Sequence, residues 1–287
     1  MIKIIHPPAC MKPRLMHLWN TCFTHDEDFC QFFFDRHFAP RRALAVTDDD
    51  DNIYAALHFF DGLYKGVDGS LKTTWYIYGV ATYPLHRKKG YATMLLNQLK
   101  AEARNESVSL LYLTAETCAW HLYESIGFCR IAELSRTVIM PQRNSVMQWK
   151  PCPLSQFERL RSAYTDTLDE CFLWRGSELE FMYMDLNRDG ETLSASFGGQ
   201  EYYAAVRLQD GELTVTETNF PRDQGDMLAG SIADRFRWTK PLSLVGRKDE
   251  IFTGTSVLSH ENFYKGHIWP IDRTTPSPEV YMNLLAD

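Results

Sequence analysis

The residues best suited to chemistry lie in one stretch, Tyr78-Gly79-Val80-Ala81-Thr82-Tyr83-Pro84-Leu85-His86-Arg87-Lys88-Lys89-Gly90-Tyr91-Ala92-Thr93. A strand stops at Pro84, which cannot donate to a sheet ladder. Three cations and a glycine follow, and a helix opens at Tyr91. The first N–H groups of a helix have no acceptor within it and sit at the positive end of its dipole. Gly90 carries no side chain, so a ligand can come close to that backbone. With Arg87, Lys88 and Lys89 beside them, these groups form a seat for phosphate, and the pattern predicts a ligand bearing a pyrophosphate. A basic loop alone would also suit a plain surface turn, so the surrounding elements carry the weight.

Two other sets read as structure. Asp48-Asp49-Asp50-Asp51-Asn52 puts four carboxylates in a row, but its place between two apolar strands makes it a solvated hairpin turn rather than a metal site. The seven cysteines, at 10, 22, 30, 118, 129, 152 and 171, form no C-x-x-C and never cluster with histidine at zinc-like spacing. They read as free thiols of a cytoplasmic protein that uses no metal.

The elements that must hold the loop follow from periodicity. Leu15, Met16, Trp19, Cys22 and Phe23 mark a helix over 12–23, Thr24-His25-Asp26 offers a cap, and a second helix over 28–38 carries Phe29, Phe32, Phe33 and Phe34. Strands follow at 42–46, 53–60 and 75–82, with a polar connection over 61–74. After the loop come a helix through Met94, Leu95, Leu99 and Glu102, a strand over 108–113, a short helix over 119–125 and a strand over 131–140. Strand, loop, helix, strand is an α/β order.

In that context Arg87-x-x-Gly90-x-Ala92, after Val80-Ala81-Thr82, resembles motif A of the GCN5-related N-acetyltransferases (GNAT), a strand followed by Q/R-x-x-G-x-G/A at a helix start. Further on, Ala119-Trp120-His121-Leu122-Tyr123-Glu124-Ser125-Ile126-Gly127-Phe128 resembles the family's A-x-x-L-Y-E-x-x-G-F segment. With Leu113-Thr114-Ala115-Glu116 before it, the text is most similar to the Eis-like branch. The resemblance implies acetyl-coenzyme A as co-substrate. Its pyrophosphate would lie on the N–H groups of Arg87, Lys88, Lys89, Gly90, Tyr91, Ala92 and Thr93. Its pantetheine arm would pair with Val80, Ala81 and Thr82 where this strand splays from its neighbour, and a strand N–H such as that of Val80 would polarise the thioester carbonyl. Tyr123 stands where the family places the acid that protonates the departing thiolate, while His121 reads as surface or packing.

The base is less direct. Many members of the family use a glutamate on the central strands, and the 75–84 strand here holds no carboxylate. Three groups stay open: Glu116 at a strand end, whose other reading is a helix cap; His58 on a neighbouring strand, whose other reading is buried structure; and the terminal carboxylate of Asp287, because in the Eis-like branch the chain end serves as base.

The second half repeats the element order of the first. Two helices over 153–187 are capped by Ser155 and Ser177; a hairpin turns at Asp210-Gly211; a helix over 227–235 and a strand over 242–245 follow. Tyr203-Ala204-Ala205-Val206 echoes Tyr54-Ala55-Ala56-Leu57. The expectation is an α/β chain of tandem GNAT folds, each a mixed, largely antiparallel sheet flanked by helices. Residues 1–142 would be the acetyl-CoA-binding catalytic domain and 147–287 a degenerate copy, joined near Pro141–Ser145. In the copy, Asn219-Phe220-Pro221-Arg222-Asp223-Gln224-Gly225-Asp226 replaces the basic loop, and its aspartates would repel a pyrophosphate.

Composition agrees. At 287 residues, 45% hydrophobic and 23% charged, the chain has material for two cores. Residues 1–146 hold 16 Lys and Arg against 15 Asp and Glu, and residues 147–287 hold 14 against 22, so the net charge of −7 belongs to the second half. That balance argues against nucleic acid as a partner, including aminoacyl-tRNA, and suits either a solubilising surface or a face for cations. No apolar run reaches the ~20 residues of a membrane span, and Met1–Pro8 does not read as a signal peptide. The acceptor would be a small-molecule or peptide amine, and the joined sheets permit a homo-oligomer. The rival reading is a non-catalytic sensor that binds acyl-CoA.

Overall fold

The computed structural model describes residues 1–23, 27–142, 146–272, 274–278 and 280–282. Thr24–Asp26, most of the 141–145 linker and Asp287 lie outside them. The chain divides into two compact units. The first comprises residues 1–64, 71–129 and 266–275; the second comprises 65–70, 130–265 and 276–287.

The first unit opens with strand β1 (Lys3–Ile5) and helices α1 (Lys12–Cys22) and α2 (Glu27–Arg36). Strands β2 (Ala43–Thr47), β3 (Ile53–Lys65) and β4 (Leu71–Thr82) follow, then helix α3 (Tyr91–Asn105), strand β5 (Leu110–Leu113) and helix α4 (Trp120–Ser125). The sheet runs β1-β2-β3-β4-β5. Its β1·β2 and β2·β3 pairs are antiparallel and its β4·β5 pair is parallel. Most of the 61–74 stretch is strand rather than loop: β3 and β4 extend through it and turn at Gly66–Ser70, where the Gly66 N–H donates to the Ser70 carbonyl at 2.9 Å. Alternating hydrophobicity is weak there, so periodicity alone misses it.

Strand β6 (Cys129–Ile139) leads into the second unit, which continues with β7 (Lys150–Pro151), α5 (Leu154–Asp166), β8 (Cys171–Leu173), α6 (Gly176–Leu186), β9 (Gly190–Phe197), β10 (Gln200–Gln209), β11 (Glu212–Thr218), α7 (Gly225–Phe236), β12 (Leu242–Arg247) and β13 (Val257–Pro270). Its strands run β7-β9-β10-β11-β12-β6. The β11·β12 pair is parallel, as β4·β5 is in the first unit, and helix α7 joins those strands as α3 joins β4 to β5. Ser155 and Ser177 are not caps. Helix α5 starts one residue earlier behind Pro153, whose extended backbone already sets the way in, and α6 starts at Gly176.

The last strand of each sheet comes from the other half of the sequence. β12 pairs with β6, from Leu242↔Ile139 to Arg247↔Leu134. β5 pairs with the end of β13, from His267↔Leu113 to Pro270↔Leu110. A single cut in the linker therefore does not separate the units.

Burial explains the sheets. In β2 every residue is buried, and in β3 all from Ala55 to Phe60 are, reading as sheet covered on both faces. The second unit's core is built by Leu193, Val206, Val215, Leu228, Ile232 and Leu244. Beside it lies a buried polar cluster: Glu217, fully buried, accepts from Arg161 Nε at 2.8 Å and from the hydroxyls of Tyr203 and Tyr281 at 2.9 Å each. Among the described residues no helix is long and apolar enough to cross a membrane.

Candidate active site

The basic loop is held from both ends. Pro84–His86 forms a single 3-10 turn, then Lys88 and Gly90 both take left-handed backbone, with φ of 63° and 82°. Such alternation gathers successive N–H groups toward one side, the backbone form of an anion seat. From Lys88 to Thr93 no backbone N–H donates to another group among the described residues, and the first helical bond closes only at Met94, onto the Gly90 carbonyl at 2.9 Å. Arg87, Lys88 and Lys89 are exposed. A Cβ added at Gly90 would meet no atom within 4 Å, so the space in front of these donors is open. Positive φ is the reason glycine stands here.

The acidic hairpin braces this loop. Asp48 accepts from the Asp50 and Asn52 N–H groups at 3.0 and 2.9 Å, from the Asn52 amide at 2.9 Å and from the Tyr54 hydroxyl at 2.6 Å. The Asn52 and Tyr54 bonds hold its carboxyl far below the usual carboxylate range. Tyr54 stacks on His86 at 4.4 Å and on Tyr91 at 5.8 Å, one ring before the cations and one at the helix start. Among the described residues no three His, Cys, Asp or Glu side chains gather to hold a metal.

The strand before the loop parts from its neighbour. The β4·β5 pairing runs Thr74↔Leu110, Trp75↔Leu111 and Tyr76↔Tyr112 and ends there, while β4 continues to Thr82. Gly79 sits in this free length with φ of 57°, and a Cβ there would collide with the Trp19 ring. A glycine inside a strand marks a bulge or a close approach; the sequence held that signal at Gly79. Val80 and Thr82 are half-buried and Ala81 is buried. The Thr82 carbonyl accepts from Cys22 Sγ and from Arg87 Nε, each at 3.3 Å, which ties strand end to loop.

Beyond β5, Tyr123 of α4 is 6% exposed. Its ring meets Phe128 at 5.8 Å and His267 at 6.1 Å. Burial pushes its hydroxyl up to about 12, and that hydroxyl makes no hydrogen bond among the described residues. His267, also 5.7 Å from the Trp120 ring, reaches this place on β13 through its pairing with Leu113. No local pattern could have singled it out, because its neighbours lie far away in the chain. Glu116 is exposed; it precedes the short turn Thr117–Ala119 and makes no side-chain cap bond. His121 is exposed. His58 is 3% exposed among the rings of Trp19, Phe33, Phe34 and Phe38, at 5.0 to 6.0 Å, and burial lowers its pKa to about 3. So low a proton affinity makes it a poor base at neutral pH.

The corresponding loop of the second unit is closed by its own chain. Asp226, in the first turn of α7, accepts from the Thr255 N–H at 2.6 Å, the Thr255 hydroxyl at 2.9 Å and the Ser256 N–H at 3.2 Å. The Gly225 N–H donates to the Thr253 carbonyl at 3.0 Å. The helix start that is open in the first unit is thus covered by residues 253–256 in the second.

Residues 11–131 match the family model of the acetyltransferase (GNAT) domain. No curated protein matches the chain in sequence. Among solved structures, a probable N-acyltransferase from Enterococcus faecalis V583 superposes with a TM-score of 0.74 at 13% identity, covering 95% of this chain and 73% of that one. A GCN5-related N-acetyltransferase from Kribbella flavida gives 0.69 at 12%, covering 93% and 70%. Eis1 from Mycobacterium abscessus gives 0.65 at 10%, covering 95% and 74%. At these identities the likeness is one of fold. The match over residues 11–131 and the shared fold make the chain similar to acetyltransferases of the GNAT type.

Proposed function

We propose that the chain is an acetyl-CoA-dependent N-acetyltransferase acting on a primary amine, with its one active site in the first unit. The observation that carries this is the run of N–H groups from Lys88 to Thr93, which donate to nothing among the described residues, at the end of a strand that has left β5. The pyrophosphate of acetyl-CoA lies on those donors, with Arg87, Lys88 and Lys89 contributing charge. The pantetheine arm takes up the free length of β4 at Val80, Ala81 and Thr82, and the Val80 N–H polarises the thioester carbonyl.

The amine nitrogen attacks the acyl carbon directly. A C–N bond forms and the C–S bond breaks, its electron pair going to sulfur. The nitrogen gives up a proton, and the sulfur receives one from Tyr123. A phenol that burial holds protonated, with no hydrogen-bond acceptor among the described residues, suits that donation. Glu116, exposed and free of a cap bond, is the carboxylate we assign to the amine's proton. The second unit is a degenerate copy whose equivalent loop Asp226 and residues 253–256 occupy. The uncommitted Tyr123 hydroxyl favours an enzyme over an acyl-CoA sensor.

The test is release of free coenzyme thiol from acetyl-CoA with a panel of primary amines, with Glu116→Gln alongside wild type. Amine-dependent release that falls in the variant is expected. Tight acetyl-CoA binding with no release for any amine would instead identify a sensor.

A further inference from the structure

The part of β4 that has left β5 is lined by aromatic rings. Trp19 of α1 presses on Gly79, next to Val80. Tyr78, on the other side of Gly79, has its ring 5.6 Å from Trp19 and 6.2 Å from Phe29. Phe23 lies 5.1 Å from Trp19, and Phe33 stacks on Trp19 at 5.0 Å. Trp19, Phe29 and Phe33 are buried and hold the wall rigid; Tyr78 is half-buried and Phe23 is 40% exposed, which gives the wall an open rim.

Resting on the function proposed above, we infer that the acceptor is a single primary amine carried on an aromatic or broad apolar group. If the thioester carbonyl sits at the Val80 N–H, an incoming amine arrives against Tyr78 and Gly79, so the body of the acceptor meets this wall. Ring faces gain from burying another ring and tolerate one ammonium. A polyamine or aminoglycoside would leave further ammonium groups against these apolar rings, which costs desolvation. The reaction is the same transfer: the amine nitrogen bonds to the acetyl carbon, the C–S bond breaks with its electrons to sulfur, and one proton passes in net from nitrogen to sulfur.

The experiment compares kcat/KM for 2-phenylethylamine, propylamine, spermidine and an aminoglycoside by thiol release at fixed acetyl-CoA. The aromatic amine should exceed propylamine by about tenfold or more, the scale of one ring contact plus its buried area. Phe23→Ala, at a half-open position that tolerates truncation, should shrink that ratio severalfold with unchanged affinity for acetyl-CoA. Turnover led by spermidine or the aminoglycoside would overturn the acceptor class and leave the acetyltransferase intact. No turnover with any amine would overturn both, and an unchanged ratio in Phe23→Ala would remove the wall from recognition.

Discussion

Gly90 offers a test in which strain, shape and charge can be separated. Replacing it by Asn or Asp forces a side chain onto a residue with φ of 82°. That conformation costs an L-residue about 1–2 kcal/mol, with Asn and Asp at the low end. Among the described residues nothing lies within 4 Å of the new Cβ, so no clash adds to it. Both variants should therefore melt only a few degrees below wild type, roughly 2–4 °C per kcal/mol. The two side chains have the same shape, and both intrude on the open space before the free N–H groups, so both should bind acetyl-CoA more weakly. They differ by one negative charge. At about 4 Å from a phosphate that charge costs about 1 kcal/mol in water and about 4 kcal/mol at an intermediate dielectric. The loop is exposed, so the lower half of that range applies, and Gly90→Asp should bind roughly 5–70-fold more weakly than Gly90→Asn. Calorimetry at about 0.05 M and about 0.5 M salt should show that gap shrinking, since screening weakens exposed charges. Equal affinities for the two variants at low salt, or either one binding like wild type, would refute the phosphate seat.

Tyr123→Phe should lower kcat by about a hundredfold with little change in acetyl-CoA affinity or melting temperature, because its hydroxyl has no hydrogen-bond partner among the described residues; steady-state kinetics with equal kcat would remove it from the mechanism. Calorimetric titration should give one acetyl-CoA per chain, since residues 253–256 cover the second helix start, and a second equivalent would contradict that closure. Glu217→Gln leaves Arg161 buried without its counter-charge and should cost about 3–5 kcal/mol in urea unfolding; a loss well under that would mean the cluster relaxes. His58 stays neutral in the fold because burial lowers its pKa from 6.5 to about 3. Its contribution to stability is thus present above pH 6.5 and is lost as pH falls toward 3, so His58→Phe should flatten the acid limb of a pH–stability curve in that window, and an unchanged limb would count against the depressed pKa.

The sequence was most informative where the determinants are local. Proline ending a strand, cations, a glycine and a helix start are neighbours in the chain, so the loop at 87–93 and the order of elements around it could be read directly. The same holds for the Asp48–Asn52 turn and the Asp210-Gly211 hairpin, whose backbone needs are met by their own residues. Repetition of that order also pointed to a duplicated architecture.

What the tertiary structure decided is everything that depends on partners distant in the chain. Where β4 loses β5 is set by pairing and not by composition. That β13 completes the first sheet, bringing His267 beside Tyr123, and that β6 completes the second, follows from an exchange of strands that no periodicity encodes. The second helix start is shut by a segment that reaches back across the intervening strand to Asp226. Sequence types the groups that can do chemistry, because type is covalent. Which donors stay open, which hydroxyl stays protonated and which glycine yields to a tryptophan depend on burial and approach, and those exist only once the chain has folded.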